Sequence, residues 1–381
     1  MNHVMFKNLK VLELASVLAG PGVGQFFAEL GAEVIKVESL KTNGDVTRTW
    51  KSSGEETDDR SAYFCSVNWG KKSLAIDLET AEGKQTIYKL IKGTDIVIAS
   101  YKPGDAEKLG VDYETLSAIN SSLIYGQITG YGSQNPRVGY DAVIQAEAGF
   151  MFMNGEPDGP SLKMPVALID VLAGHQLKEA ILIAMLERTH TGIGKMVEVS
   201  LIQTALASLA NQSSNWLVAH KLPQKHGSAH PNIAPYGDVF KTKDDVEILL
   251  AIGTDRQFQD LCQVLKSAAL LENPLFSTNQ NRVKNRELLK LGLILCFENF
   301  VSTDLLPELH ARNIPAGTIQ NIKQAFELPE AKDILMSSGN RIGIQTFIAR
   351  SQSWENQRAI LPPPHFGQHN NDIIENLTAD V

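Results

Sequence analysis

One carboxylate, Asp170, stands within an otherwise apolar stretch of the sequence, Met164–Gly174. The apolar, β-branched character of this stretch predicts a buried strand, followed by a long helix that runs to about Arg188. A lone buried carboxylate is costly unless it is paired, hydrogen-bonded or neutralised. At a strand-to-helix junction, free backbone N–H groups can hold the carboxylate ionised in a cleft, where it is a nucleophile. The alternative is that Asp170 only caps the helix that follows.

The elements that must position Asp170 form an α/β pattern. Short apolar runs alternate with helical patterns in the first half of the chain, which predicts a doubly wound, mostly parallel, Rossmann-like sheet. Such a sheet binds ligands at the carboxyl ends of its strands. The loops expected at that edge are residues 15–22, 100–104, 129–140 and 170–174. The predicted strands are Lys10–Leu14, Glu33–Glu38, Lys72–Asp77, Asp95–Ala99 and Leu123–Ile128.

The length of 381 residues and the 43% hydrophobic content indicate an ordinary globular protein of two or three domains. A polar, turn-rich segment near residue 220 separates two α/β patterns. We therefore predict a large domain over residues 1–215, a linker over 216–235, a smaller α/β domain over 236–330 and a C-terminal segment over 331–381.

Composition also restricts the partners and the compartment. The net charge of −8 gives no general attraction to nucleic acid or to a membrane surface. Cys65, Cys262 and Cys296 are scattered and odd in number, which is typical of reduced thiols in a cytoplasmic protein. We find neither a signal peptide nor an apolar run long enough to span a bilayer, so a cytoplasmic location is expected.

Two other segments of the sequence only partly match a dinucleotide-binding motif and a metal site. Residues 19–24 follow a strand and open a helix, but they lack the glycine order of a dinucleotide fingerprint. His220, His226 and His230 lie close together without a carboxylate or cysteine at ligand spacing. We therefore predict no metal and no resident cofactor.

A set of short motifs runs along essentially the whole chain, and their order and spacing together resemble the family III CoA-transferases, the CaiB–BaiF group. The resemblance implies an enzyme that moves CoA from an acyl-CoA to a carboxylic acid through an aspartyl anhydride and an enzyme–CoA thioester, with CoA as substrate. It also implies a ring-shaped chain, with a C-terminal segment that returns to the large domain, and an interlocked homodimer. The motifs are residues 12–21 and 31–38, Gly44-Asp45-x-x-Arg48, Asn68-x-x-Lys71-x-Ser73, Gly130-Tyr131-Gly132, Gly139-Tyr140-Asp141, Pro235-Tyr236-Gly237 and Pro364-x-x-Gly367-Gln368-His369.

The same resemblance implies roles for individual residues. Asp170 becomes the catalytic nucleophile, Leu18 and Trp50 shape the acyl pocket, and Asp45 and Arg48 form a loop-fixing ion pair. The implied CoA contacts are Val17, Ala19, Ile76, Ser100, Tyr101, Lys102, Lys108, Arg137 and Tyr140. For the lysines and the aromatic residues, the alternative is an ordinary surface or core position.

The chain departs from the family at two places. Some members have a basic residue where this sequence has Ser39, with Lys41 two positions later, which puts the phosphate contacts there in doubt. Some members also have a run of four glycines where residues 227–231 hold only one. A mobile glycine lid is therefore not expected.

Two other functions remain open from the sequence. A related α-methylacyl-CoA racemase needs two bases, but Tyr140 stands where such an enzyme has a histidine, and a phenol is a poor proton carrier at neutral pH. A non-catalytic CoA-binding subunit is disfavoured by the intact Asp170. For the transferase we expect succinyl-CoA or another common acyl-CoA as donor and a medium-sized organic acid as acceptor.

Overall fold

The computed structural model describes residues 5–351 and 360–379. The chain divides into two compact units. Unit 1 contains residues 1–149, 164–219 and 330–381, and unit 2 contains residues 150–163 and 220–329. The division differs from the predicted boundaries at residues 150–163, which the pattern placed in the large domain. These residues join unit 2 because Gly227 N donates to Gly155 O at 3.0 Å and Lys225 Nζ donates to Gly159 O at 2.8 Å.

A six-stranded parallel sheet forms the centre of unit 1, with the strand order β3-β2-β1-β4-β5-β6. The predicted doubly wound parallel sheet is therefore confirmed, and strand order reverses direction between β1 and β4. Helices cover both faces, which explains why the strands are nearly continuous apolar runs. The strands are β1 (Lys10–Leu14), β2 (Glu33–Ser39), β3 (Lys71–Ile76), β4 (Ile96–Ala99), β5 (Ile124–Thr129) and β6 (Met196–Ser200).

Most of the helices up to residue 217 connect these strands, whereas the last two follow the last strand of the sheet. The helix that the sequence predicts to run to about Arg188 ends at Thr191. The helices are α1 (Ala19–Glu29), α2 (Ala62–Cys65), α3 (Ala81–Ile91), α4 (Asp105–Leu109), α5 (Tyr113–Ser117), α6 (Asp141–Glu147), α7 (Phe150–Met153, in unit 2), α8 (Leu168–Thr191), α9 (Leu201–Ala207) and α10 (Asn211–Leu217).

The strand predicted before Asp170 is wrong. Residues 164–167 are irregular, and α8 begins at Leu168, so that Asp170 lies in the first turn of this helix. Met164 and Val166 are exposed rather than buried. Apolar content alone does not reveal which segments a core covers, and a short apolar run is compatible with a strand, a loop or a helix start. Ala167 occupies the N-cap position, so Asp170 is not the cap either.

Unit 2 has its own small antiparallel sheet and hydrophobic core. Phe240, Ile248 and Leu250 of this sheet pack with the helices that follow it. The remaining elements of unit 2 are β7 (Tyr236–Lys241), β8 (Glu247–Ala251), α11 (Asp255–Val264), α12 (Ala268–Leu271), α13 (Asn279–Lys284), α14 (Arg286–Phe297), α15 (Ser302–Ala311), β9 (Ala316–Thr318) and α16 (Ile322–Phe326). The last elements of unit 1 are β10 (Leu335–Ser338), β11 (Arg341–Ile344) and α17 (Asn370–Ala379).

A buried charge network crosses the first strands of unit 1. Lys36 on β2 lies 3.0 Å from Glu13 on β1 and 2.8 Å from Asp45, and Lys71 on β3 lies 2.7 Å from the other oxygen of Glu13. Burial acts to lower the pKa of Lys36, but the carboxylates of Glu13 and Asp45 outweigh it, so the pKa is raised. For Lys71 burial dominates and lowers the pKa to about 8. The network therefore fixes the relative positions of three strands and one loop.

The C-terminal segment of unit 1 is fastened beside β3. Gly367 N donates to Ser73 Oγ at 2.9 Å, and the side chain of Asn370 exchanges hydrogen bonds with the backbone of Ala75. The Arg48 guanidinium donates to Pro364 O at 3.2 Å. This segment therefore completes the edge of the sheet next to the loop that carries Asp45.

The search for membrane-crossing helices covered the described ranges, and none of their helices combines the required length with the required apolar character.

Replacing Lys36 with Met should destabilise unit 1 by about 3–5 kcal/mol, because the buried carboxylate of Asp45 would lose its cation and Glu13 would retain only Lys71. Thermal and urea unfolding of both variants would measure the effect. The control is Lys72→Met, which removes a partly exposed pair with Glu33 from the same sheet and should cost about 1 kcal/mol or less. Equal stability of the Lys36 and Lys72 variants would contradict this view of the network.

Candidate active site

A cavity of about 280 Å³ opens at the carboxyl ends of β1, β4 and β5, where the strand order of the sheet reverses. The loops that follow these three strands form most of its wall, and the first turn of α8 adds Asp170. The structure thus brings together the strand-end loops expected to meet there. The lining residues are Ser16, Val17, Leu18, Ala19, Gly20, Ser100, Tyr101, Lys102, Pro103, Ile128, Thr129, Gly130, Arg137, Val138, Gly139, Tyr140, Asp141, Asp170 and Leu201.

Asp170 is 9% exposed, and its carboxylate accepts no hydrogen bond from the residues that the structure describes. Burial, with a smaller contribution from the charge of Asp141, raises the pKa of Asp170 to about 7. The prediction that backbone N–H groups hold this carboxylate ionised is wrong for the described residues. At neutral pH the group is divided between its acid and its poorly hydrated, nucleophilic carboxylate form.

The backbone amides beside Asp170 are engaged elsewhere. Leu168 N donates to Val166 O at 2.8 Å, and Ile169 N donates to Asp141 Oδ1 at 2.7 Å. The second oxygen of Asp141 accepts from Gln145 Nε2 at 2.6 Å. Asp141 is therefore both the anchor for the start of α8 and the like charge that disfavours ionisation of Asp170.

Close contact between two glycines places Asp141 and Tyr140. An added Cβ on Gly139 would lie 2.4 Å from the Cα of Gly130, so neither position tolerates a side chain without movement. The strand-end loop can fold back on itself only with glycine at both places. This contact explains why the two glycine motifs occur together in the sequence.

The loop after β1 is held in a strained conformation. Val17 has a φ of 74°, which is unfavourable for a β-branched residue. Its N–H donates to the Asp45 carboxylate at 3.2 Å, and Ser16 N donates to Ser100 Oγ at 3.3 Å. Since Asp45 is itself paired with Lys36, the buried charge network fixes the conformation of this loop.

The predicted ion pair between Asp45 and Arg48 is wrong. Arg48 instead contacts Glu38 at 2.7 Å, whereas Asp45 pairs with Lys36. Lys36 and Glu38 are alternate residues of β2 on the same buried face. They therefore bind the two ends of the short 44–48 loop separately, which fixes it more firmly than an internal pair.

The sequence profile of CoA-transferase family III matches residues 6–370. The chain belongs to this family. It is 36% identical to the succinate–glutarate CoA-transferase of Agrobacterium fabrum, over 97% of this chain and 94% of that protein. It is 34% identical to the human succinyl-CoA:glutarate CoA-transferase, over 99% of this chain and 87% of that one. The crystal structure of a CaiB/BaiF family protein from Brucella suis superposes with a TM-score of 0.88 at 37% identity, covering 99% and 100% of the two chains.

Most of the residues predicted for this family III CoA-transferase line the cavity with Asp170. They are Val17, Leu18, Ala19, Ser100, Tyr101, Lys102, Arg137 and Tyr140. Tyr140 is well exposed, whereas burial raises the pKa of Tyr101 to about 12. The roles assigned to these residues remain predictions, although their shared position is consistent with them.

Three of the predicted residues are not among those described as lining this cavity. Ile76 lines a second cavity of about 490 Å³, which shares Ser16 and Tyr101 with the first. Lys108 is largely exposed and pairs with Asp105 at 2.9 Å, the surface arrangement that the sequence analysis kept as its alternative. Trp50 packs edge-on against Tyr63, with ring centroids 5.2 Å apart.

One residue of the transferase site has no role in the sequence-based prediction. Asp141 belongs to a motif of the sequence, but its partners, the Ile169 amide and Gln145, are evident only in the fold. Tyr63 is not among the described residues that line the cavity; burial raises the pKa of its hydroxyl, and the charges of Asp170, Asp141 and Asp45 add to the effect. The sequence contains no motif around Tyr63 that indicates this position.

The value of kcat/KM for acyl-CoA should fall as the pH decreases through about 7, because the protonated Asp170 cannot attack a thioester. Asp141→Asn removes the neighbouring like charge and should move this acid limb to lower pH. Initial rates from pH 5 to 9 would measure the shift. Glu187→Gln, at the far end of the same helix, should leave the limb in place, and an unshifted limb in Asp141→Asn would contradict the coupling.

Proposed function

We propose that this transferase carries the acyl group and then CoA covalently on Asp170. The supporting observation is a buried carboxylate in a cavity of a family III CoA-transferase, without a hydrogen-bond donor among the described residues. A carboxylate that is poorly hydrated gains nucleophilicity. Relatives named as succinate–glutarate, succinyl-CoA:glutarate and acetyl-CoA:oxalate CoA-transferases favour this function over a racemase or a silent CoA-binding subunit.

In the first half-reaction, a carboxylate oxygen of Asp170 attacks the carbonyl carbon of the donor thioester. The C–S bond breaks, CoA leaves as its thiolate, and an aspartyl–acyl anhydride remains. The thiolate then attacks the Asp170 carbonyl carbon of the anhydride. The donor acid leaves as its carboxylate, and CoA is joined to Asp170 as a thioester.

The second half-reaction reverses the order. The acceptor carboxylate attacks the Asp170 thioester carbon, expels CoA thiolate and forms a new anhydride. The thiolate attacks the acceptor's carbonyl carbon, which yields the new acyl-CoA and frees the Asp170 carboxylate. The steps exchange groups of similar energy, so the reaction as written consumes no ATP and uses no metal.

The start of α1 is the best candidate for stabilising the oxyanions of these steps. Ala19 and Gly20 line the cavity and form the first turn of α1, where backbone N–H groups have no partner within the helix. Such donors stabilise negative charge that develops on a carbonyl oxygen. The fixed conformation of Val17 would keep them aimed at the reacting carbon.

We propose succinyl-CoA as donor and a dicarboxylic acid of about the size of glutarate as acceptor. Relatives named for succinate, glutarate and succinyl-CoA support this choice. A second carboxylate needs a cation, and we assign this role to Lys102 and Arg137 of the cavity wall in place of the CoA contacts that the family resemblance implies for them. The apolar or aromatic side chains of Leu18 and Tyr140 can contact the carbon chain between the two acid groups.

We also propose that the enzyme is a cytoplasmic homodimer. Exposed apolar side chains along α8 and α10, including Ile183, Leu186 and Leu217, are consistent with a partner surface in unit 1. The interlocking of two ring-shaped chains rests on the family resemblance alone.

Replacement of Asp170 by Asn or Ala should abolish transfer, because the covalent carrier is lost. CoA binding and folding should persist, and Asn should raise the thermal midpoint at pH 8, since it removes the cost of a buried charge. Mass spectrometry of enzyme mixed with acyl-CoA and borohydride should locate the modification at Asp170. Sustained turnover by Asp170→Asn, with deamidation excluded, would refute the mechanism.

Glutarate should accept CoA from succinyl-CoA far better than pentanoate, which has the same chain length and one carboxylate. Lys102→Met or Arg137→Met should raise the KM for glutarate by about tenfold, the loss expected for a charged hydrogen bond. The KM for pentanoate should hardly change. Equal use of both acids by the wild-type enzyme would refute the dicarboxylate proposal and leave the Asp170 chemistry intact.

A further inference from the structure

The first turn of α8, which carries Asp170, is held by contacts from α6 and has no side-chain cap of its own. The N-cap residue is Ala167, whose side chain cannot accept a hydrogen bond. The first four N–H groups of a helix have no partner within it, so an uncapped start is poorly fixed unless another element supplies acceptors. Here Asp141 of α6 accepts from Ile169 N at 2.7 Å. The direction in which Asp170 points therefore depends on α6.

Gln145 lies one turn after Asp141 on the same face of α6 and is completely buried. Both ends of its side-chain amide are used. Its Nε2 donates to Asp141 Oδ2 at 2.6 Å, and its Oε1 accepts from Met164 N at 2.8 Å. Met164 is the residue at which the chain re-enters unit 1. Asp141 and Gln145 therefore hold the segment 164–169 at both of its ends.

We infer that Gln145 is a positioning residue for the nucleophile: it fixes the segment that leads into α8, and thereby the place of Asp170 in the cavity. The inference rests on the proposed function, because it takes Asp170 as the group that attacks. Gln145 is not among the described residues that line the cavity, so it acts through Asp141 and the Met164 amide. A displacement of about 1 Å at a reacting group can lower a rate by about a hundredfold.

The position of Gln145 requires one donor and one acceptor at the same time. A neutral amide supplies both, whereas an ionised carboxylate is an acceptor only and a thioether has no donor. Without the amide, Asp141 Oδ2 and Met164 N would lose these partners. A protonated carboxylic acid can replace the amide, since its O–H donates and its carbonyl oxygen accepts.

Gln145→Met should lower kcat by about thirty- to hundredfold, because a misplaced Asp170 attacks the thioester more slowly. The Kd for CoA, measured by calorimetry, should stay within about twofold of the wild-type value, since the rest of the cavity wall is unchanged. Rates are measured below the unfolding transition of each variant, which circular dichroism locates, so that loss of folded enzyme does not contribute.

Gln145→Glu tests the hydrogen-bond pattern through its pH dependence. Burial and the charge of Asp141 both raise the pKa of the introduced carboxyl group. Below this pKa the acid donates to Asp141 and accepts from Met164 N, and above it the two carboxylates repel each other. The ratio of the variant kcat to the wild-type kcat should therefore be about 0.5 at pH 6 and fall about tenfold by pH 8.5.

Other ionisable groups are present in both enzymes. The remaining charged residues described in the cavity wall are Asp170, Lys102 and Arg137, and Tyr63 has a pKa that is raised in part by Asp141. Because the wild-type enzyme contains them too, the ratio of the two kcat values isolates the introduced group. Gln145→Met introduces no titrating group, and its ratio should be the same at pH 6 and at pH 8.5.

A second buried glutamine provides a matched control. Gln25 on α1 is also completely buried, donates to Glu29 four residues later at 2.8 Å and accepts from Trp69 N at 3.1 Å. None of these three residues is described as lining the cavity of Asp170. Gln25→Met and Gln25→Glu make the same chemical changes and should lower the thermal midpoint, while kcat of the folded enzyme stays within about twofold of the wild-type value.

Three results would overturn the inference. The first is a kcat of Gln145→Met within about twofold of the wild-type value. The second is an equal loss of kcat in the Gln25 variants, which would show a general effect of disrupting the interior. The third is a pH-independent ratio in Gln145→Glu. The proposed function fails separately, if wild-type enzyme mixed with acyl-CoA and borohydride carries no modification at Asp170.

Discussion

The buried pairing of Lys36 with Glu13 and Asp45 is the interaction on which the site depends. It connects β2 to β1 and to the loop that holds the Val17 amide. Unpaired charges in the interior are so unfavourable that this arrangement has essentially one acceptable geometry. The strained backbone conformation of Val17 persists because the Val17 amide donates a hydrogen bond to Asp45, which lies outside this loop. The position of the helix α1 amides at the cavity follows from that constraint.

The reactivity of Asp170 depends in turn on the absence of a hydrogen-bond donor to its carboxylate among the described residues. The start of a helix ordinarily stabilises a carboxylate through free N–H groups. Here Asp141 takes the Ile169 amide and adds a like charge, while burial removes water. The result is a carboxyl group whose ionisation costs free energy in the folded state. In the proposed mechanism, a covalent bond from Asp170 to an acyl carbon would remove this charge, so burial that opposes ionisation would favour the anhydride over the free carboxylate.

Much of the sheet could be predicted from the sequence, and the reason is the burial of parallel strands on both faces. The strand predicted at Glu33–Glu38 ends within one residue of its observed bound, since its apolar alternation is continuous. The site loops follow from the topology, because parallel strands end at one edge. Residues 164–167 could not be assigned correctly, since the sequence does not state whether an apolar segment is covered. The prediction that Asp170 is the nucleophile rests on the isolation of this carboxylate among apolar residues, which is independent of that error.

The partners of the charged residues were the least predictable part. Asp45 and Arg48 are three residues apart and opposite in sign, so the sequence favours a local pair, yet each binds a residue of β2 instead. Such pairs depend on which side chains are buried next to each other in the sheet. The separation of two residues along the sequence does not predict this. The same sheet leaves Lys41 and Glu79 in solvent at its carboxyl edge. Interior pairs thus hold the site in one conformation, whereas exposed pairs at the rim contribute little to stability. The difference between these two kinds of ion pair arises from their solvent exposure.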